Sequence, residues 1–175
     1  MSEHIPTHDE PKDKVGLFLL RWSQLSAFIA AVLLLLICII SALSVLNRWL
    51  FNSPITGDVE LVQIACALSI SAFLPYAQMK NAHVIVDFFT IKASPRIRNL
   101  LDAFAGILLC IVSALLAWRS AAGAISSYKS NTSMMILGWP EWLAHLTIAP
   151  GFLLLSLTAL YTTYLKLKEN KGMHA

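Results

Sequence analysis

Three small groups of polar residues interrupt an otherwise apolar chain. In NAHVIVDFF (81–89), His83 and Asp87 stand four residues apart, a spacing that puts an imidazole and a carboxylate on one face of a helix. Such a pair can handle an ion or proton, or it can tie one segment to its neighbours. A metal site needs more ligands than two, which favours the structural tie. In NRWLFNSPITGDVEL (47–61), Arg48 follows one apolar run, and Asp58 and Glu60 begin the next. The acids suit the positive end of a helix starting at Thr56-Gly57-Asp58, and Arg48 can pair with either of them across a short turn. Two readings stand there: capping with one interfacial salt bridge, or a polar docking point for a partner. The third group is His145, one turn after Glu141. A haem-binding bundle needs two axial histidines at similar depth, and no second one is available. Cys38, Cys66 and Cys110 lie far apart in apolar runs without metal-type spacing. No metal and no cofactor are expected.

These residues sit between long uncharged stretches. Residues 22–47, 61–79, 103–118 and 142–165 carry no Asp, Glu, Lys or Arg. About 20 mainly apolar residues span the hydrocarbon core of a bilayer, and a backbone in lipid must bond to itself. The expected fold is therefore an all-α membrane protein with four transmembrane helices, at about 22–47, 59–79, 99–125 and 141–166. Composition agrees: 57% of the chain is hydrophobic and 13% charged, against about 25% charged in soluble domains. The net charge of +3 forms no basic face, so nucleic acid is not an expected partner. The first run is too long for a signal-peptide core, and Glu3, Asp9, Glu10 and Asp13 precede it.

Residues 1–14 are expected to be a disordered cytoplasmic start, 15–168 a single membrane domain, and 169–175 a cytoplasmic tail. The stretch 15–25 suits a surface helix leading into the first span. With both ends inside, ten Lys and Arg fall on the cytoplasmic side against three outside, which gives an N-in/C-in topology. His83 and Asp87 then lie on an interfacial cytoplasmic helix between helices 2 and 3, and Lys92, Arg96 and Arg98 face lipid headgroups. Pro75 and Pro150 predict kinks in helices 2 and 4. Arg119 lies 19 residues after Leu100, about 28 Å along a helix, which suggests the outer interface. No carboxylate falls in mid-membrane, so the chain by itself lacks the ion-coupling groups of a carrier.

Over residues 22–165 the sequence resembles the small membrane subunit of tripartite ATP-independent periplasmic (TRAP) transporters, the DctQ family. The likeness rests on NRW (47–49), GDVEL (57–61) and AHVIVDFF (82–89), in that order on a four-helix chain. Where the family often has a tryptophan and two adjacent acids before helix 2, this chain has Pro54-Ile55 and a split Asp58-x-Glu60. The resemblance implies a non-catalytic scaffold in the bacterial inner membrane, paired one-to-one with a large permease subunit. The large subunit carries the substrate and sodium sites, and a periplasmic solute-binding protein delivers a carboxylate-type solute. Arg48, Asp58 and Glu60 become candidate outer contacts, and His83 and Asp87 inner ones. The alternatives are a membrane anchor for a redox complex and a small homo-oligomeric carrier.

Overall fold

The computed structural model describes residues 14–52, 56–80 and 95–172. Side chains are described within those limits except at 95–100 and 168–172. The expected interfacial helix, with His83, Asp87 and Lys92, lies outside the described residues. Arg96 and Arg98 fall in a described helix, but their side chains do not.

Among the described residues the chain forms four helices: α1 Lys14–Phe51, α2 Asp58–Met79, α3 Pro95–Ser130 and α4 Trp142–Gly172. Each is long and apolar enough to cross a membrane. Their 38, 22, 36 and 31 residues correspond to about 57, 33, 54 and 47 Å at 1.5 Å per residue. All four therefore reach across the ~30 Å hydrocarbon core, α2 with little to spare and the other three well beyond it. The stretch 15–25, read as a surface helix, is continuous with the first span, with no break between them.

The helix ends show why the chain turns where it does. Asn52 and Asn131 adopt left-handed conformations, with φ 52° and 50°, just past α1 and α3. After α3 the Thr132 N–H reaches the Ser127 carbonyl at 3.2 Å and the Asn131 N–H the Tyr128 carbonyl at 3.4 Å. This is a Schellman closure with asparagine in place of the usual glycine. The segment 131–141 then folds back as a short hairpin. Ser133 pairs with Pro140, and the Met134 N–H bonds the Trp139 carbonyl at 2.8 Å.

The helices stand in a row, α1–α2–α4–α3. Each packs closely on its neighbour in that order, α1 touches α4 only lightly, and α1 and α3 lie at opposite edges. What they bury is small and hydroxylated. Ser23, Ser44, Ser69, Ser71, Ser113, Thr158, Ala30 and Ala159 are almost fully enclosed. The large apolar side chains point outward; Phe28, Val45 and Trp118 are 68%, 68% and 75% exposed. A water-soluble bundle would show the reverse. In lipid, apolar residues gain nothing by hiding, and close backbone approach through small residues holds helices together.

Hydroxyl and amide bonds set the register. Between α1 and α2, Ser26 donates to the Ala72 carbonyl at 3.0 Å and Ser69 donates to the Ala30 carbonyl at 3.3 Å. Between α2 and α4, Gln78 Nε2 donates to Thr162 Oγ1 at 2.8 Å. Between α3 and α4, the Cys110 and Ser156 side chains meet at 3.5 Å, and the His145 ring lies over Gly123. Arg119, one turn before Gly123, thus stands level with α4 residues near Pro150 and α2 residues near Ser69. That is close to the middle of α2. Relative height is set by packing against neighbours, which a residue count along one helix cannot see.

Two prolines lie inside helices, Pro75 in α2 and Pro150 in α4. Pro75 is fully buried. It has no N–H to give to the Ser71 carbonyl one turn earlier. Gly151 of α4 packs against that carbonyl: a Cβ built on Gly151 would stand 2.7 Å from Ser71 O. Only a residue without a side chain allows this approach, and its Cα–H groups face the freed oxygen as weak donors. Gly151→Val should therefore lower stability by about 1–3 kcal/mol through overpacking. In thermal unfolding of detergent-solubilised protein, Gly123→Ala serves as the comparison, because the nearest atoms to its new methyl are those of the His145 ring, at 3.4 Å and beyond. A Gly151→Val melting point equal to wild type would contradict this packing.

Candidate functional site

The densest polar cluster joins the first turn of α2 to the two structures beside it. Gly57 precedes α2 in a left-handed conformation, φ 84°, and no side chain caps the helix there. Thr56 is thus not the cap that a Thr-Gly-Asp start suggests. A Cβ on Gly57 would also strike Leu137 at 2.7 Å. Backbone conformation and close packing therefore both select glycine at this position.

The two acids point in different directions. Asp58 Oδ2 accepts a hydrogen bond from the buried Ser44 hydroxyl of α1 at 2.6 Å, and its Oδ1 accepts from the Val59 N–H at 2.8 Å. Glu60 reaches the hairpin instead. Its Oε1 accepts from the Ile136 N–H at 3.0 Å and its Oε2 from the Leu137 N–H at 2.9 Å. A carboxylate that accepts two successive backbone N–H groups is a fixed two-point clamp, stronger than a neutral pair. The split Asp58-x-Glu60 spacing gives each acid its own direction on α2. One ties α2 to α1, and the other ties it to the hairpin that joins α3 to α4.

Arg48 does not take part. Its side chain is exposed and has no ion-pair or hydrogen-bond partner among the described residues, so the expected pairing with Asp58 or Glu60 is not made. Both carboxylates are already committed within the chain to donors that a cation four residues beyond Ser44 does not replace. The hairpin held by Glu60 turns apolar side chains outward: Met135 is 98% exposed, and Ile136 and Trp139 are largely exposed. Beside it, Tyr128 and Trp142 meet edge to face at 5.8 Å. His145 stands 3.9 Å from Glu141, an i,i+4 neighbour beyond hydrogen-bond distance.

A second polar site lies at the opposite ends of the helices. Lys166 Nζ of α4 contacts Asp102 Oδ2 of α3 at 2.7 Å, with side-chain exposures of 26% and 16%. With Gln78–Thr162, it closes the row at that end. The sequence reading omitted Asp102 and Lys166. Their signal was present: each is the charge that borders an uncharged run, at the same end of adjacent helices. Among the described residues no three His, Cys, Asp or Glu side chains converge as a metal site would need.

Four lipid-compatible helices, a small-residue interior and carboxylate ties at the helix ends define a multi-pass membrane protein. The family model for the DctQ component of tripartite ATP-independent periplasmic transporters matches residues 37–169, and the chain belongs to this family. It is a transporter component of the inner membrane. No individual curated protein is significantly similar to the chain.

Two predictions test the polar ties. Glu60→Gln leaves one hairpin N–H facing an amide NH2, so it should cost about 1–3 kcal/mol and speed hydrogen exchange at Ile136 and Leu137. Unchanged exchange there would show that the clamp does not hold the hairpin. For the other tie, Asp102→Asn alone should destabilise more than Asp102→Asn combined with Lys166→Met, because the single change strands a partly buried ammonium. Melting temperatures of the two variants in one detergent decide the order.

Proposed function

We propose that the chain is the small, non-catalytic scaffold subunit of a TRAP transporter, bound one-to-one to a large permease subunit. The observation that carries this reading is the division of chemistry along the helices. Hydroxyl contacts, an amide and glycine contacts join the spans, while the intrachain carboxylate bonds sit at their ends. An ion-coupled carrier needs ionisable groups that face a pathway in mid-membrane and can change partners. A row of helices fixed at both ends suits a part that stays still while another moves.

In this reading both termini face the cytoplasm, by the distribution of Lys and Arg. The Glu60-clamped hairpin and the turn after α1 then face the periplasm, where a solute-binding protein docks on the assembled transporter. Arg48, exposed beside that turn, is a candidate contact on this side. On the cytoplasmic side, His83 and Asp87 belong to the segment that ties the scaffold to its surroundings, with Lys92, Arg96 and Arg98 toward anionic headgroups. Transport is secondary, driven by a sodium gradient, and the solute carries a carboxylate. Both features belong to the large subunit and the binding protein.

Purification of the full chain in mild detergent from its native membranes tests the assignment. The expected result is a large polytopic permease in equal amount, without haem or flavin absorbance. A haem or flavin protein in its place would favour a redox anchor. The chain alone, as a stable homo-oligomer active in liposomes, would defeat the scaffold reading.

A further inference from the structure

Arg119 is an exposed cation on α3 that stands level with the middle of α2. It makes no ion pair or hydrogen bond among the described residues. The α3–α4 contacts put it about 6 Å below Gly123, which faces His145 near the start of α4. The Gly151–Ser71 and Ser69–Ala30 contacts carry that level across the row to Ala30 of α1. Beyond Ala30, toward the turn, α1 presents Leu35, Leu36, Ile39, Leu43 and Leu46 outward, over about 24 Å. Side chains of this kind face hydrocarbon or another apolar helix, so the apolar exterior of the row continues past the level of Arg119.

Snorkelling does not readily rescue it. Side chains on a helix leave the backbone toward the N-terminus. The N-terminus of α3 lies at the Asp102–Lys166 end, so the Arg119 side chain starts away from the nearer, turn-side interface. The exterior changes character at Arg119: Leu108 and Val112 are exposed on the same face before it. Leu115, one turn before it, is exposed, while Ala122 and Ser126 follow on the same side as small residues. Small residues beside a polar group are what a close helix–helix contact in lipid uses.

We infer that the Leu115–Arg119–Ala122–Ser126 face of α3 is a docking surface for a transmembrane helix that carries a carboxylate opposite Arg119, supplied by the large permease subunit. The inference rests on the scaffold reading and adds the face and the chemistry of the contact. A guanidinium facing a carboxylate in a water-poor interface gains two parallel hydrogen bonds and loses its unpaired charge. α3 is an edge of the row, so a helix can pack there without displacing α4.

The test is co-expression of the full chain with the large subunit, followed by purification through a tag on either one. Arg119→Leu should lower the co-purified large subunit at least ten-fold, and Arg119→Lys, which keeps the charge but not the two-point fork, should retain more of it than Arg119→Leu and less than wild type. Independently, benzoylphenylalanine at Leu115, with Arg119 intact, should cross-link to the large subunit, while the same probe at Leu36 on α1 should not. If wild type assembles but Arg119→Leu assembles equally well, or if the Leu115 probe captures only phospholipid, this docking face is wrong while the scaffold reading stands. If wild type itself does not assemble, the scaffold reading fails first and the inference falls with it.

Discussion

The Ser71 carbonyl, freed by Pro75 and covered by Gly151, is the contact on which the arrangement of helices depends. In lipid there is no water to satisfy an opened backbone group, so another helix must come close. α4 does so at Gly151. One residue along, Ser26 of α1 donates to the Ala72 carbonyl from the other side. The proline thus accounts for the approach of α4, and the Ser26–Ala72 bond fixes α1 at the same level of α2. The helix that follows α2 in sequence, α3, is displaced to the far edge, and the row α1–α2–α4–α3 results.

From that centre the structure closes toward both ends. At the turn end α2 directs two carboxylates, Asp58 to α1 and Glu60 to the hairpin between α3 and α4. At the other end Gln78 reaches α4, and α4 reaches α3 through Lys166 and Asp102. Every neighbouring pair in the row is thus joined by at least one directional polar bond or ion pair. Hydrophobic burial adds little association energy between helices already in lipid, so these bonds and the close small-residue contacts decide the geometry. The exterior remains free to carry bulky apolar side chains against the bilayer or another subunit.

The helices were legible because uncharged length is nearly sufficient evidence of a membrane span: runs 61–79 and 142–165 need no partner to be recognised. The family was legible from NRW, GDVEL and AHVIVDFF, and the match over 37–169 agrees. The partners of the site residues were not legible. Asp58 and Glu60 stand two residues apart in sequence, yet they bond Ser44 and the amides of Ile136 and Leu137. A serine hydroxyl and a backbone N–H carry no charge pattern for a sequence reading to match with an acid. Arg48 did carry one, and the structure leaves it unpaired by those acids. The level of Arg119 relative to α2 and α4 was not legible for a related reason: register between helices comes from Gly123, Gly151 and Ser69, none of which looks informative alone.

The central claim is that this row stays rigid while the transporter works. Spin labels at Phe28 on α1 and Ile125 on α3, both exposed, report on its two edges. Their distance distribution would be measured by double electron–electron resonance in the reconstituted complex, first without ligands and then with sodium and substrate. A rigid scaffold gives one distribution in both states. A shift of several ångströms on adding sodium and substrate would mean that the small subunit moves with the transport cycle, and the scaffold account would be wrong.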